Sequence, residues 1–165
     1  MKISELMANH TPRPEYAGFA DADTWVLGIK TSDSEKAPKD FDIFQVGAKD
    51  QSVSFNPKTA STTYVRAGEV TVKTGNAGKI KLEFDRCYGD AAQDFLASHK
   101  IIWGTGEQVK TQFVYFNYLT GKGISGEGNV IMDDGPNQSA GNNGTFSGNL
   151  FIIGTPEEYT YSALA

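Results

Sequence analysis

The strongest constraint in this sequence is a two-residue alternation of apolar and polar side chains, repeated in short runs that glycine and asparagine punctuate. The clearest run is Lys79 to Asp85. Ile80, Leu82 and Phe84 fall on one side and Lys79, Lys81, Glu83 and Asp85 on the other, the pattern of a strand with one dry and one wet face. Before it, Glu69 to Thr74 alternates as well, and Gly75-Asn76-Ala77-Gly78 supplies turn chemistry between the two. The pair predicts an antiparallel hairpin with Val70 and Val72 directed inward.

The same period marks Thr24 to Lys30, where Trp25, Leu27 and Ile29 share a face, and it marks Gln51 to Phe55. Phe41 to Val46, Gly126 to Met132 and Thr145 to Ile153 read as further strands. A long aromatic strand runs from Val109 to Leu119, with Phe113 and Tyr115 on one side and Val114, Phe116 and Tyr118 on the other, so both of its faces are covered. One short helix interrupts the strands. Asp90 is placed to cap it, Gln93 completes a capping-box-like pattern, and Ala91, Ala92, Phe95, Leu96 and His99 cluster on one side as far as Lys100. Eighteen glycines, ten Phe, seven Tyr and two Trp suit many turns between pleated, half-buried strands. The expected fold is mainly β: a β-sandwich or partly closed barrel of roughly seven to nine strands with one flanking helix.

The 165 residues suit one domain, spanning 24–154. Residues 1–23, with Pro12 and Pro14, read as an N-terminal arm, either disordered or ordered against a neighbouring subunit, and residues 155–165 as a tail leaving the domain. Residues 31–40 form a polar loop. Residues 56–67 are long for a hairpin turn and have no clean buried face; loops of that kind are mobile or occupied by a partner.

A net charge of −5 argues against tight DNA binding, which needs clustered cations, and against adsorption to an anionic membrane. Glu5 stands where a signal peptide needs an apolar run, and no stretch approaches the ~20 apolar residues of a membrane helix. A soluble protein made in a cytoplasm is expected, so the glycosylation patterns at Asn137 and Asn143 carry no weight. Cys87 is the single cysteine, which excludes an internal disulfide, and a small half-buried residue is expected there.

No motif for catalysis, a metal or a cofactor emerges. Gly121-Lys122-Gly123-Ile124-Ser125-Gly126 matches G-x-G-x-x-G, but the chain continues as a strand and offers no helix N-terminus to a phosphate. Asp133-Asp134-Gly135-Pro136-Asn137 lacks the spacing and closing Glu of a calcium loop and reads as a turn. His10 lies in the arm and His99 at a helix end; neither has a second histidine at ligand spacing. Glu83 and Asp85 lie on the wet face of a strand. A non-enzymatic role is expected.

The order of small motifs is more telling. Val46-Gly47 leads to the short strand Gln51–Phe55, then Asn56-Pro57, a Thr/Ser-rich stretch, Tyr64-Val65, two alternating strands, and an acidic-capped helix over Tyr88 to His99. Ile124-Ser125-Gly126-Glu127-Gly128 and Thr145-Phe146-Ser147-Gly148-Asn149-Leu150 follow as closing strands. Over residues 24–154 this resembles the major tail tube proteins of bacteriophages and the tube proteins of phage-like contractile particles. The resemblance implies a virion protein, made in the host bacterial cytoplasm, whose copies form hexameric rings with joined sheets that stack into a hollow tube. It implies contacts with tape measure and tail-end proteins, and DNA passing through without specific binding. A lumen lined by acidic and polar side chains, which would repel phosphates, is the expectation that goes with such passage. By the same analogy Asn56, Pro57, Lys58, Thr59, Thr62, Thr63, Tyr64, Val65 and Arg66 belong to a loop contacting the adjacent ring. The alternatives are a monomeric β-sandwich binding module, carbohydrate-binding or adhesin-like, and a small β-barrel enzyme or carrier with a closed pocket.

Overall fold

The computed structural model describes residues 1–162. Strands β1 (Trp25–Ile29), β2 (Asp42–Ile43), β3 (Ala48–Asp50), β4 (Val53–Ser54), β7 (Lys79–Asp85), β8 (Lys110–Asn117), β9 (Lys122–Asp134), β10 (Thr145–Ile152) and β11 (Glu157–Thr160) form one antiparallel sheet. Its order is β2-β1-β8-β9-β10-β7-β3, with β4 beside β7 and β11 beside β9. The sheet curls into a half-barrel, so the expected mainly β, partly closed barrel is what forms.

The curl follows from which side chains meet. Leu27 and Ile29 near one edge join Ile80, Leu82 and Phe84 near the other, with Phe113, Val130 and Leu150 between them, in a single buried cluster. Strands so far apart in sheet order can share a cluster only across the inside of a curve. Phe84 centres it, edge-on to Phe44 with centroids 5.5 Å apart and stacked on Phe146 at 5.6 Å. Helices α2 (Ala91–Leu96) and α3 (His99–Trp103) cover this interior with Ala92, Leu96 and Ile101. Val114 and Phe116 point to the opposite face, where a second cluster contains Ile3, Met7, Val26, Phe41 and Ile43. The covering of both faces of the aromatic strand is thus as expected.

Asp90 caps α2 by accepting from the Gln93 N–H at 3.0 Å. Gln93 does not close the capping box. Its fully buried side chain instead donates to the Val46 and Asp85 carbonyls and accepts from the Cys87 N–H at 2.6 Å, tying three chain segments together. The helical stretch runs past Lys100, because Ser98 caps α3 in turn, and His99 therefore opens a helix rather than ending one. Cys87 is exposed, not half-buried.

Part of each terminal segment docks on the half-barrel, while residues 8–23 stay largely exposed between the N-terminal helix and β1. Helix α1 (Ile3–Met7) buries Ile3 and Met7 in the second cluster. A Cβ on Gly28 would collide with the Ile3 side chain, so β1 carries glycine where this helix presses closest. Lys2 clamps the helix down, its ammonium held by the buried carboxylates of Glu35 and Asp42, the latter at 2.9 Å. Partial burial alone would raise the Asp42 pKa; the bonds from Lys2 and Thr31 outweigh it and hold the carboxyl below its ordinary value. The polar loop 31–40 is thereby part of an anchor. At the other end, Glu157–Thr160 pairs with β9, and Tyr159 and Tyr161 pack on Phe116. Burial pushes the Tyr159 phenol up to about 12. The tail's last three positions, 163–165, lie outside the described residues.

Candidate functional site

The largest departure from expectation is the segment between β4 and β7. Residues 56–67 are not an irregular loop. Strands β5 (Pro57–Tyr64) and β6 (Gly68–Asn76) pair with each other as a separate two-stranded sheet. The alternating run Glu69–Thr74 therefore pairs with β5 and not with β7, whose neighbours are β10, β3 and β4. Val70 and Val72 do not face the core; they are 40% and 54% exposed.

The register explains what the alternation is for. Ala60 lies opposite Val72, Thr62 opposite Val70 and Tyr64 opposite Gly68, and these pairs share one face. Thr59–Lys73, Ser61–Thr71 and Thr63–Glu69 share the other, where the Ser61 and Thr71 hydroxyls are hydrogen-bonded at 2.8 Å. The hairpin is two-faced, yet nearly every residue of both strands is exposed. The Val65-Arg66-Ala67 tip turns through positive φ at Arg66 (71°) and Gly68 (71°), conformations that glycine adopts freely and arginine rarely does. Its base is stitched by Asn76 Nδ2 donating to the Phe55 carbonyl (2.9 Å) and Asn56 Nδ2 donating to the Ala77 carbonyl (3.1 Å).

A two-stranded hairpin alone in water is at best marginally stable, and the apolar strip of this one, with Tyr64, Val70 and Val72, is exposed. The residues named from sequence fall on this element as follows. Asn56 is at the base, Pro57, Lys58, Thr59, Thr62, Thr63 and Tyr64 are on β5, and Val65 and Arg66 are at the tip. Thr62 and Tyr64 lie on the apolar face; Thr59 and Thr63 lie on the polar one. Ala60, Val70 and Val72 complete the apolar face and were missed. Their signal was present, because the alternation of Val70 and Val72 belonged to this hairpin.

Beside the hairpin base the half-barrel is open at one end. A cleft of about 750 Å³ lies there, lined by Trp25, Val53, Phe55, Tyr115 and Ile124, with Asp23, Lys49 and Asp50 among its polar residues. The Trp25 and Tyr115 rings stack, centroids 5.3 Å apart and 11° from parallel. Gln51 closes one wall by donating to the Trp25 carbonyl at 2.8 Å. Burial raises the Tyr115 pKa, and the Asp50 charge adds to the effect. Asp50 is held below its ordinary value: partial burial opposes ionisation, but bonds from Ser52 and Lys81 prevail.

The other sequence motifs resolve simply. The glycine run 121–126 lies at the start of β9, with no helix after it. Asp133 and Asp134 end that strand, and among the described residues no three His, Cys, Asp or Glu side chains are grouped to hold a metal. No helix among them is long and apolar enough to cross a membrane.

No family model matches the sequence, and no curated protein matches it. Among solved structures the fold is similar to a chain from the tail of an empty GTA particle, a helically refined assembly with C6 symmetry. The TM-score is 0.57 at 13% identity, over 87% of this chain and 100% of that one. At that identity the likeness is one of fold.

Proposed function

We propose that this protein is a non-enzymatic structural subunit of a phage-like tail, which assembles with copies of itself into stacked hexameric rings around a lumen that passes DNA. The observation that carries the reading is the two-faced hairpin whose apolar face is bare in the single chain. Such a face is a cost to a monomer and a contact to a polymer. The shared fold with a chain of a C6-symmetric tail supports the ring geometry. Head-to-tail contacts that close give rings, and further contacts between rings give filaments. Obligate interfaces commonly bury about 2,000 Å² or more, an area that a projecting hairpin helps to supply.

Tape measure and tail-end proteins are the further partners, and the virion is the location. In this reading the lumen is acidic and polar, consistent with the net charge of −5, so that phosphates are repelled and DNA slides without sticking. Neutralising lumen carboxylates should then slow DNA transit; unchanged transit would remove the repulsion idea. The cleft of stacked Trp25 and Tyr115 favours a second reading, a monomeric binding module of the carbohydrate-binding or adhesin type. Light scattering across a concentration series separates the two. Mass rising with concentration supports the tail subunit, and a constant monomer that retains glycans supports the module.

A further inference from the structure

The hairpin tip and the cleft of one molecule cannot meet. Phe55 lines the cleft and immediately precedes the hairpin base, and β5 then runs outward for eight residues, on the order of 27 Å, to Tyr64. It is paired with β6 along that length, so the tip cannot fold back without breaking the ladder. A second copy can supply what one copy cannot.

We propose that the tip Tyr64-Val65-Arg66 of one copy seats in the Trp25–Val53–Phe55–Tyr115–Ile124 cleft of the next, an inference that rests on the self-assembly reading. Three observations converge. The tip is apolar and bare, Val65 being 93% and Tyr64 55% exposed, and the cleft walls are aromatic and aliphatic, with Phe55 68% exposed. The size is sufficient, since about 750 Å³ lies within the roughly 300–1,000 Å³ of pockets that bury a drug-sized molecule. The charges are complementary at one point. The hairpin carries Lys58, Arg66 and Lys73 against Glu69 alone, whereas in the cleft Lys49 is already 2.6 Å from Asp85 and Asp50 3.0 Å from Lys81, which leaves Asp23 as its unpaired charge. Among the described residues neither Arg66 nor Asp23 makes an ion pair within the chain, and docking brings them together.

The contact is heterologous, because donor and receiver are different surfaces. It can therefore be repeated from copy to copy, each molecule giving its tip to one neighbour and receiving the tip of another.

Disulfide trapping tests this in a Cys87→Ser background, which removes the native exposed thiol. Val65→Cys copies are mixed with size-tagged Val53→Cys copies at an assembling concentration under mild oxidation. The expected product is the mixed dimer of tip and cleft, with little of either homodimer. If the wild type assembles but Val65→Cys traps only itself, or a control Ile131→Cys on the open sheet face, or nothing, the inference is overturned while self-assembly stands. If the wild type remains monomeric and nothing is trapped, both fall together. A charge swap gives an independent arm. Arg66→Asp and Asp23→Arg should each raise the critical concentration at least tenfold, and the two in one chain should restore it; a double variant as poor as the singles would contradict the pairing.

Discussion

Replacing Val70 and Val72 together by threonine should weaken assembly strongly and leave the folded subunit almost untouched. Threonine keeps the β-branched shape that suits a strand, so the hairpin itself is preserved. In the single chain both side chains face water, at 40% and 54% exposure, and surface changes of this kind usually shift stability by no more than about 0.5 kcal/mol. In the assembly they have about half their surface still to bury. Full burial of a valine is worth roughly 1.5–3 kcal/mol, so the remaining gain is about 1 kcal/mol each and about 2 kcal/mol for the pair. At 1.4 kcal/mol per tenfold, the critical concentration should rise roughly 25-fold. Sedimentation of assembled material over a concentration series measures that rise, and thermal unfolding of the dilute subunit measures the rest. An unchanged critical concentration would refute the assignment of this face to assembly. A subunit destabilised by 2 kcal/mol would show that the valines serve the fold instead.

Leu82→Ala, on the next strand in sequence but fully buried in the half-barrel, should behave oppositely, costing about 2–5 kcal/mol in denaturant unfolding of the dilute subunit. Gln93→Leu should cost about 2–4 kcal/mol by the same assay, because it leaves the Cys87 N–H and the Val46 and Asp85 carbonyls without their partner. Lys2→Met should cost about 1–3 kcal/mol at neutral pH, since two buried carboxylates lose the cation they share, with the loss shrinking in acid as Asp42 protonates. Asp42 and Asp50 have folded pKa values below their unfolded ones; their contribution is fully present above about pH 4 and is lost as pH falls through the folded values. A stability profile flat from pH 7 to 5 and falling below 4 is expected, and a profile still flat at pH 2 would contradict the assignment.

The sheet was legible wherever burial and alternation coincide. Ile80, Leu82 and Phe84 face the core as their spacing says, and Phe113 and Val114 divide between the two faces as expected. Alternation names a face but not the strand's partner, and for that reason Glu69–Thr74 was paired with β7 when its true partner was β5. The Thr-rich sequence of β5 hid a strand because neither of its faces meets a core that would select apolar residues. Helix α1 and strand β11 are five and four residues long; elements so short are decided by what they dock on, here Val26, Phe116 and the Glu35–Asp42 pair. Gln93 looked like half of a capping box, and only three distant backbone groups reveal its role. The cleft was invisible for the same reason, since Trp25, Val53 and Tyr115 meet only after the sheet curls.

Electron microscopy of the purified protein at high concentration, with end-on views averaged without imposed symmetry, tests the central claim most directly. The account predicts hollow rings or filaments with six subunits around an open centre. A population that stays monomeric at every concentration, even when pre-formed tail components are added as seeds, would contradict it.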